Sequence, residues 1–173
     1  MAEKNNGSLE KEQSIPRIED EILTHLDDEL KESALGFIAY LNANQLTPRQ
    51  WFGPGYWFIP WENMNLCGIH LYGFNSGKDS NGWVFWFFSD GYGGEAGEEL
   101  IELVHDHVGQ CGDCGGECTK GVDMTIFGKE YANVCIQFPV RIEDPDSSTL
   151  ERIKALIEHW KKAAPTSKGM HVH

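Results

Sequence analysis

The sequence predicts an α+β domain, in which helices pack on a mostly antiparallel sheet of about five strands. Apolar residues recur at helical spacing near both ends of the chain and once in the middle. Between these stretches lie short strand-like runs joined by short turns, and short connections favour antiparallel neighbours. A group of cysteines before the last hairpin adds a zinc knuckle to the prediction.

The first half of the chain predicts two helices followed by three strands. The apolar spacing predicts one helix over 18–30 and a second over 31–44, which Thr47-Pro48 ends. Strands are predicted from Tyr56 to Trp61 and from Leu66 to Phe74. The run from Trp83 to Phe88 is apolar at every position, which is typical of a central strand covered on both sides.

The second half predicts a helix, a hairpin and a final helix. Apolar spacing predicts the first of these helices over 95–108. Two alternating runs, 122–127 and 131–138, predict a hairpin that turns at Gly128-Lys129, and zinc knuckle and hairpin together occupy 109–138. The final helix begins after Pro145-Asp146-Ser147 and has its apolar face at five positions: Leu150, Ile153, Leu156, Ile157 and Trp160.

Length and composition predict one folded domain. Of 173 residues, 40% are hydrophobic and 12% aromatic, which is enough apolar surface for a core. We expect this domain to span 17–163, between a disordered leader at 1–16 and a frayed tail at 164–173.

Charge and hydropathy exclude two classes of partner. The net charge of −13 repels a phosphate backbone, so nucleic acid is not expected as a partner. The longest apolar run, Trp83 to Phe88, is too short to cross a bilayer. The first residues are polar and lack the apolar segment of a signal peptide, so we expect no membrane partner and a cytoplasmic location.

Four of the five cysteines form the most distinctive pattern. Cys111, Cys114 and Cys118 follow the spacing C-x-x-C-x-x-x-C, and the hairpin brings back Cys135. A turn at residues 128 and 129 would place Cys135 opposite Val122, close to Cys118. Four thiolates around one ion make a closed tetrahedral site, which predicts structural zinc. The spacing leaves open iron, unmetallated thiols, or a redox pair of Cys111 and Cys114.

Two histidines carry a weaker metal hypothesis, and the fifth cysteine carries none. His105 and His107 precede the knuckle and could replace a cysteine, although histidines at a helix C-terminus more often interact with the helix dipole. Cys67 lies in an alternating strand, which predicts a small buried hydrophobe.

Aromatic residues are dense in the predicted strands, which indicates either a core or a pocket for a flat organic ligand. The predicted ligand-binding residues are Tyr56, Trp57, Trp61, Glu62, His70, Trp83 and Trp86. Glu62 among aromatic rings would favour a cation. A hydrolase that uses Glu62 or His70 as general base is an alternative, although the sequence lacks G-x-S-x-G and H-E-x-x-H motifs.

One resemblance covers the last third of the chain. The segments CGDCGGEC, IFGKEYANVC and IEDPDSSTLERIKALIEHW resemble an uncharacterised family of small bacterial proteins, most specifically in the Phe-Gly-Lys-Glu hairpin before the last cysteine. That resemblance implies no activity. The order of helices and strands is distantly similar to the GyrI-like small-molecule-binding domains, which implies binding by analogy of layout.

Overall fold

The computed structural model describes residues 16–51, 53–62, 64–72, 82–87, 95–112 and 120–163. Within these ranges the elements are α1 (Ile18–His25), α2 (Asp28–Ala43), β1 (Arg49–Gln50), β2 (Tyr56–Trp61), β3 (Met64–His70), β4 (Val84–Phe87), α3 (Glu98–Asp106), β5 (Val122–Ile126), β6 (Lys129–Val134), β7 (Val140–Glu143) and α4 (Ser147–Ala163). The predicted α+β class is confirmed. The predicted leader and tail lie outside the described residues, apart from Pro16.

The main sheet has five strands in the order β1-β2-β3-β4-β7, and all of its described pairs are antiparallel. β4 is buried at every position and lies between two neighbours, as the apolar run predicted. The composition of the sheet differs from the prediction, because β5 and β6 form a separate two-stranded sheet. Their places are taken by β7 and by the two-residue strand β1.

The first two helices are separated at residues 26–27, earlier than the predicted boundary between 30 and 31. Asp27 has an extended backbone, and its carboxylate accepts a hydrogen bond from the Leu30 N–H at 3.3 Å. An aspartate at this position caps a helix N-terminus, so α2 begins at Asp28 and α1 ends at His25.

The hydrophobic core lies between the main sheet and helices α2 and α4. The Phe37 ring of α2 packs edge-on against Phe85 with 5.3 Å between centroids, and the Trp160 ring of α4 packs against Phe87 at 4.2 Å. All five residues predicted for the apolar face of α4 are buried. The Asp146 carboxylate accepts a hydrogen bond from the Thr149 N–H at 2.7 Å, which caps α4 and lowers the pKa of Asp146.

The hairpin turns one residue earlier than predicted. Ile126 pairs with Lys129, so the turn residues are Phe127 and Gly128, with φ of 45° and 78°. Two positive φ values are typical of the tight type I′ turn, whose twist matches that of the flanking strands. The predicted turn at Gly128-Lys129 is therefore wrong.

A β-bulge on β6 shifts the register again. Between the pairs Met124–Tyr131 and Val122–Val134, β6 contains one residue more than β5, and Asn133 adopts a φ of 56°. Val122 therefore lies opposite Val134, and the predicted pairing of Val122 with Cys135 is wrong by one residue.

The segment 107–111, which we call the linker segment, pairs with both sheets. Its backbone hydrogen bonds run first to the region of β7 and then to that of β6: Arg141 N to His107 O, Gly109 N to Pro139 O, Cys135 N to Gly109 O and Cys111 N to Asn133 O, all between 2.8 and 3.0 Å. Isolated antiparallel bridges at Val108–Val140 and Gln110–Val134 follow the same order. The linker segment therefore fixes the hairpin, with Cys111 and Cys135, to the edge of the main sheet.

Candidate functional site

The main sheet has two faces of different character. Directly paired residues share a face, so the register assigns each side chain. The core face, which packs on the helices, carries the row Trp57, Ile69, Phe85 and Ile142. The opposite face, which we call the second face, carries two rows: Arg49, Phe58, Gly68, Trp86 and Arg141, and beside them Tyr56, His70, Val84 and Glu143.

Four rings form an aromatic layer on the second face: Trp51, Phe58, Trp86 and Phe138. Trp51 and Trp86 are nearly parallel, with 25° between planes and 6.0 Å between centroids. Phe58 meets Trp51 edge-on at 6.3 Å, and Phe138 meets Trp86 edge-on at 4.9 Å. Trp86 is fully buried, whereas 40% of Trp51 is exposed. The layer therefore has a packed inner end and an accessible outer end, at Trp51.

Gly68 allows Trp86 to lie flat on the sheet. A Cβ atom at Gly68 would lie 2.1 Å from Cζ2 of Trp86 and 2.3 Å from Cε2, far inside van der Waals contact. The two residues are direct cross-strand partners on β3 and β4. A glycine at this position therefore determines where the indole of Trp86 lies.

His70 lies in the neighbouring row, stacked on Tyr56. The two rings are 4.0 Å apart with 21° between planes, and His70 is 6% exposed. Burial disfavours the charged imidazolium and lowers the pKa of His70 from 6.5 to about 4. At neutral pH the site therefore presents a neutral imidazole.

Phenylalanine in place of His70 keeps a ring beside Tyr56 but removes the titrating group. We expect the free energy of unfolding of this variant to fall less than that of the wild type as the pH is lowered from 6.5 to 4. Because the pKa of His70 is about 4 when folded and 6.5 when unfolded, the unfolded chain binds more protons between these values. Stability therefore falls as the pH is lowered through this window, by up to about 3 kcal/mol from this residue. Urea unfolding from pH 4 to 7.5 measures the difference, and parallel curves for the two proteins would contradict the assignment.

Tyr72 and His25 extend this region towards α1. The Tyr72 hydroxyl lies 3.0 Å from Nε2 of His25, and the ring centroids of Tyr72 and His70 are 5.9 Å apart. Burial and the negative charge of Glu21 raise the pKa of Tyr72, which keeps its phenol protonated at neutral pH. Tyr72 lies against Gly55, where a Cβ would be 2.1 Å from Cε2 of the ring.

Glu21 anchors α1 to the first strands of the sheet. Its carboxylate accepts hydrogen bonds from the Gly55 N–H at 2.8 Å, from Trp57 Nε1 at 2.9 Å and from Gln50 Nε2 at 3.0 Å. Trp57 therefore has its indole N–H satisfied on the core side of the sheet.

The structure divides the seven predicted ligand-binding residues among three places. Tyr56, His70 and Trp86 lie together on the second face. Trp57 lies on the core face, and Trp83 packs against Phe37 of the core with 6.0 Å between ring centroids.

The remaining two predicted residues lie at the other end of the strands. Trp61 pairs with Met64 at the β2–β3 turn, where the Lys161 ammonium lies 4.8 Å from the Trp61 ring centroid. Glu62 is exposed in that turn, while His70 ends β3 eight residues further on. At about 3.3 Å per residue, the length of β3 separates Glu62 from His70 by roughly 20 Å. One small ligand therefore does not reach both.

The predicted ligand-binding set lacked several residues of the second face, among them Arg49, Phe138 and Arg141. Arg49 belongs to a strand of two residues, which is too short to carry a strand signal of its own. Phe138 ended the run predicted as the second hairpin strand, whereas β6 ends at Val134. Alternation along β2 does separate Tyr56 and Phe58 from Trp57, which is the signal that could have assigned the faces.

A groove of about 600 Å³ lies beside β1, between the start of α1 and the end of α2. Its lining residues are Pro16, Arg17, Ile18, Glu19, Asn42, Thr47, Pro48, Arg49, Gln50 and Trp57. Arg17 and Glu19 form an ion pair at 3.5 Å along its rim. Arg49 lines this groove and also occupies the edge of the second face, so the two features adjoin.

Two of the four predicted zinc ligands can be placed. Across the Gln110–Val134 bridge, alternation puts Cys111 and Cys135 on the same side of the ladder, as diagonal neighbours. Cys114 and Cys118 lie outside the described residues, and among those described no group of three metal-binding side chains occurs. The zinc knuckle therefore stays a prediction.

The other metal hypotheses concern residues with different partners. Nε2 of His105 lies 3.0 Å from the Ile126 carbonyl, and Nδ1 of His107 lies 2.8 Å from the Leu103 carbonyl. Cys67 is fully buried on the core face, and burial raises the pKa of its thiol, so the prediction of a small buried hydrophobe is confirmed.

Comparison with protein-family models, curated protein sequences and solved structures finds no match to this chain. Across the described ranges, no helix has both the length and the apolarity that crossing a bilayer requires. A functional proposal for this chain therefore depends on the geometry of its own residues.

Proposed function

We propose that this chain is a cytoplasmic binding protein that takes a flat small organic ligand on the outer end of its second face. The observation that carries the proposal is the aromatic layer, in which Trp51 stacks on the buried Trp86 while 40% of Trp51 stays exposed. Large exposed rings next to a packed aromatic layer offer apolar contact and stacking to a planar molecule.

The rings of the aromatic layer are held by hydrogen-bonded strands, so a ligand can bind without rearrangement of the backbone. Phe58 and Trp86 project from paired strands, and Phe138 is held near the sheet edge by the bonded linker segment. Rings fixed on strands lose little conformational entropy when a ligand stacks on them. The half-buried rings of Tyr56 and Phe58 lie on the same face of β2 and continue the surface beyond Trp51.

The test is a fluorescence titration with N-phenyl-1-naphthylamine, a flat uncharged probe. We expect saturable binding to the wild-type protein and a roughly tenfold weaker affinity for Trp51→Ala, since an aromatic stacking partner contributes about 1 kcal/mol beyond its buried area. Leu23→Ala is the matched control, because Leu23 is also a large exposed hydrophobe, at 56%, but lies on α1. Equal affinities for the wild type and Trp51→Ala would contradict the proposal.

We further propose that Cys111, Cys114, Cys118 and Cys135 hold one structural zinc ion. The support is the position of Cys111 and Cys135 on one side of the ladder that the linker segment forms with β6. Diagonal neighbours in such a ladder are roughly 7–8 Å apart, whereas the Cα atoms of a disulfide are most often about 5.5–6 Å apart. That separation suits two ligands of one ion with Zn–S bonds of about 2.3 Å.

The proposed zinc would brace the binding surface. Cys135 precedes Phe138 by three residues, and Phe138 packs edge-on against Trp86. The ion would therefore fix the chain next to the inner end of the aromatic layer, a structural role that requires no catalysis.

A further inference from the structure

We propose that the ligand of the second face is an aromatic anion, with its ring against Trp51 and Phe58 and its negative group at Arg49. This inference rests on the proposed binding function and adds the ligand's charge.

The register places the cation beside the exposed rings. Arg49 is the direct cross-strand partner of Phe58, so both side chains belong to the second face. Trp51 follows Arg49 by two residues, continues the pairing through its N–H to the Tyr56 carbonyl at 2.9 Å, and contacts Phe58. One guanidinium and two accessible rings therefore meet at a single edge of the sheet.

The charge of Arg49 is available to a ligand. Arg49 is exposed and forms no ion pair within the described parts of the chain. Four other cations of these ranges do have acidic partners: Arg17 with Glu19, Lys31 with Asp28, Lys154 with Glu151 and Lys161 with Glu158. Arg49 has no such partner among those residues, so its guanidinium is open to an anion added from solution. Its planar fork of donors matches a carboxylate or sulfonate.

The other charged groups of this face lie away from Arg49. The row that begins at Arg49 ends at a second arginine, Arg141, on the far strand β7. The acid of the adjacent row, Glu143, lies on β7, four strand spacings or roughly 19 Å from β1. Glu62, from which the sequence predicted a cationic ligand, lies in the β2–β3 turn and not beside Trp51.

The experiment compares two probes that differ by one charged group. 1-Anilinonaphthalene-8-sulfonate carries a sulfonate on the same aromatic skeleton as N-phenyl-1-naphthylamine. We expect the wild type to bind the sulfonate about tenfold more tightly at low salt, and this preference to shrink in 0.5 M NaCl. Arg49→Gln should bind both probes with the affinity that the wild type has for the neutral one.

Arg152→Gln is the matched control, since Arg152 is a cation of α4 whose guanidinium donates to the Glu99 carbonyl. It should keep the full preference for the sulfonate, and thermal melts confirm that both variants fold. Equal affinity of the wild type for the two probes, or an undiminished preference in Arg49→Gln, overturns the anion assignment and leaves the binding function standing. Failure of the wild type to bind either probe overturns both.

Discussion

Replacing Gly68 with alanine is expected to destabilise the protein by about 3 kcal/mol, at the upper end of the cost of overpacking a core. The new methyl group would lie 2.1 Å from the indole of Trp86, which is fully buried. For a chain of this length, about 3 kcal/mol lowers Tm by roughly 6–12 °C. Thermal unfolding followed by circular dichroism measures the shift.

Gly36→Ala is the matched control for this substitution. Gly36 lies within α2, and a Cβ at that position would have nothing within 4 Å. Alanine there should raise stability by about 0.5–1 kcal/mol, because glycine is the weaker helix former. A Gly68→Ala variant that melts with the wild type would show that Trp86 does not lie over residue 68.

Removing the proposed metal is the second change with a large expected effect. We expect untreated protein to carry about one zinc ion per chain, by elemental analysis, and a strong chelator to lower Tm by more than about 10 °C. The loss is large because the ion would tie the linker segment to β6 and so to the edge of the main sheet. Cys135→Ser should lose the ion and show the same low Tm without chelator.

Cys67→Ala is the control for thiol removal. Cys67 is buried on the core face, so its replacement should leave the zinc content at about one per chain. Metal-free protein with several reactive thiols would contradict the zinc proposal and favour the alternative of a redox pair formed by Cys111 and Cys114.

Elements with a strong local pattern could be predicted from the sequence. The bounds of β2, Tyr56–Trp61, agree with the prediction, and the apolar face of α4 is buried at every predicted position. β7 was missed because its four residues are defined by distant partners, β4 on one side and the linker segment on the other. Such pairing leaves no periodic trace in a short segment.

The candidate site could not be outlined from the sequence, because its outline depends on which residues pair between neighbouring strands. Trp57 and Trp86 both come from aromatic-rich strands, yet the register assigns them to opposite faces. The fit of Trp86 on Gly68 joins β4 to β3, and the contact of Phe138 with Trp86 depends on the path of the chain after the hairpin. Aromatic content therefore predicted a candidate surface, whereas its outline required the pairing of the strands.

The bulge at Asn133 determines on which side of the ladder the sulfur atom of Cys135 lies. An unbroken register from the turn would place residue 135 on the side of the hairpin that carries Ile126. The extra residue reverses the alternation, so that Val134 takes that side and Cys135 takes the side of Cys111. One asparagine in a left-handed conformation thus shifts the alternation of β6 by one residue. The side of the ladder on which the Cys135 thiol lies, and so its ability to share an ion with Cys111, depends on that shift.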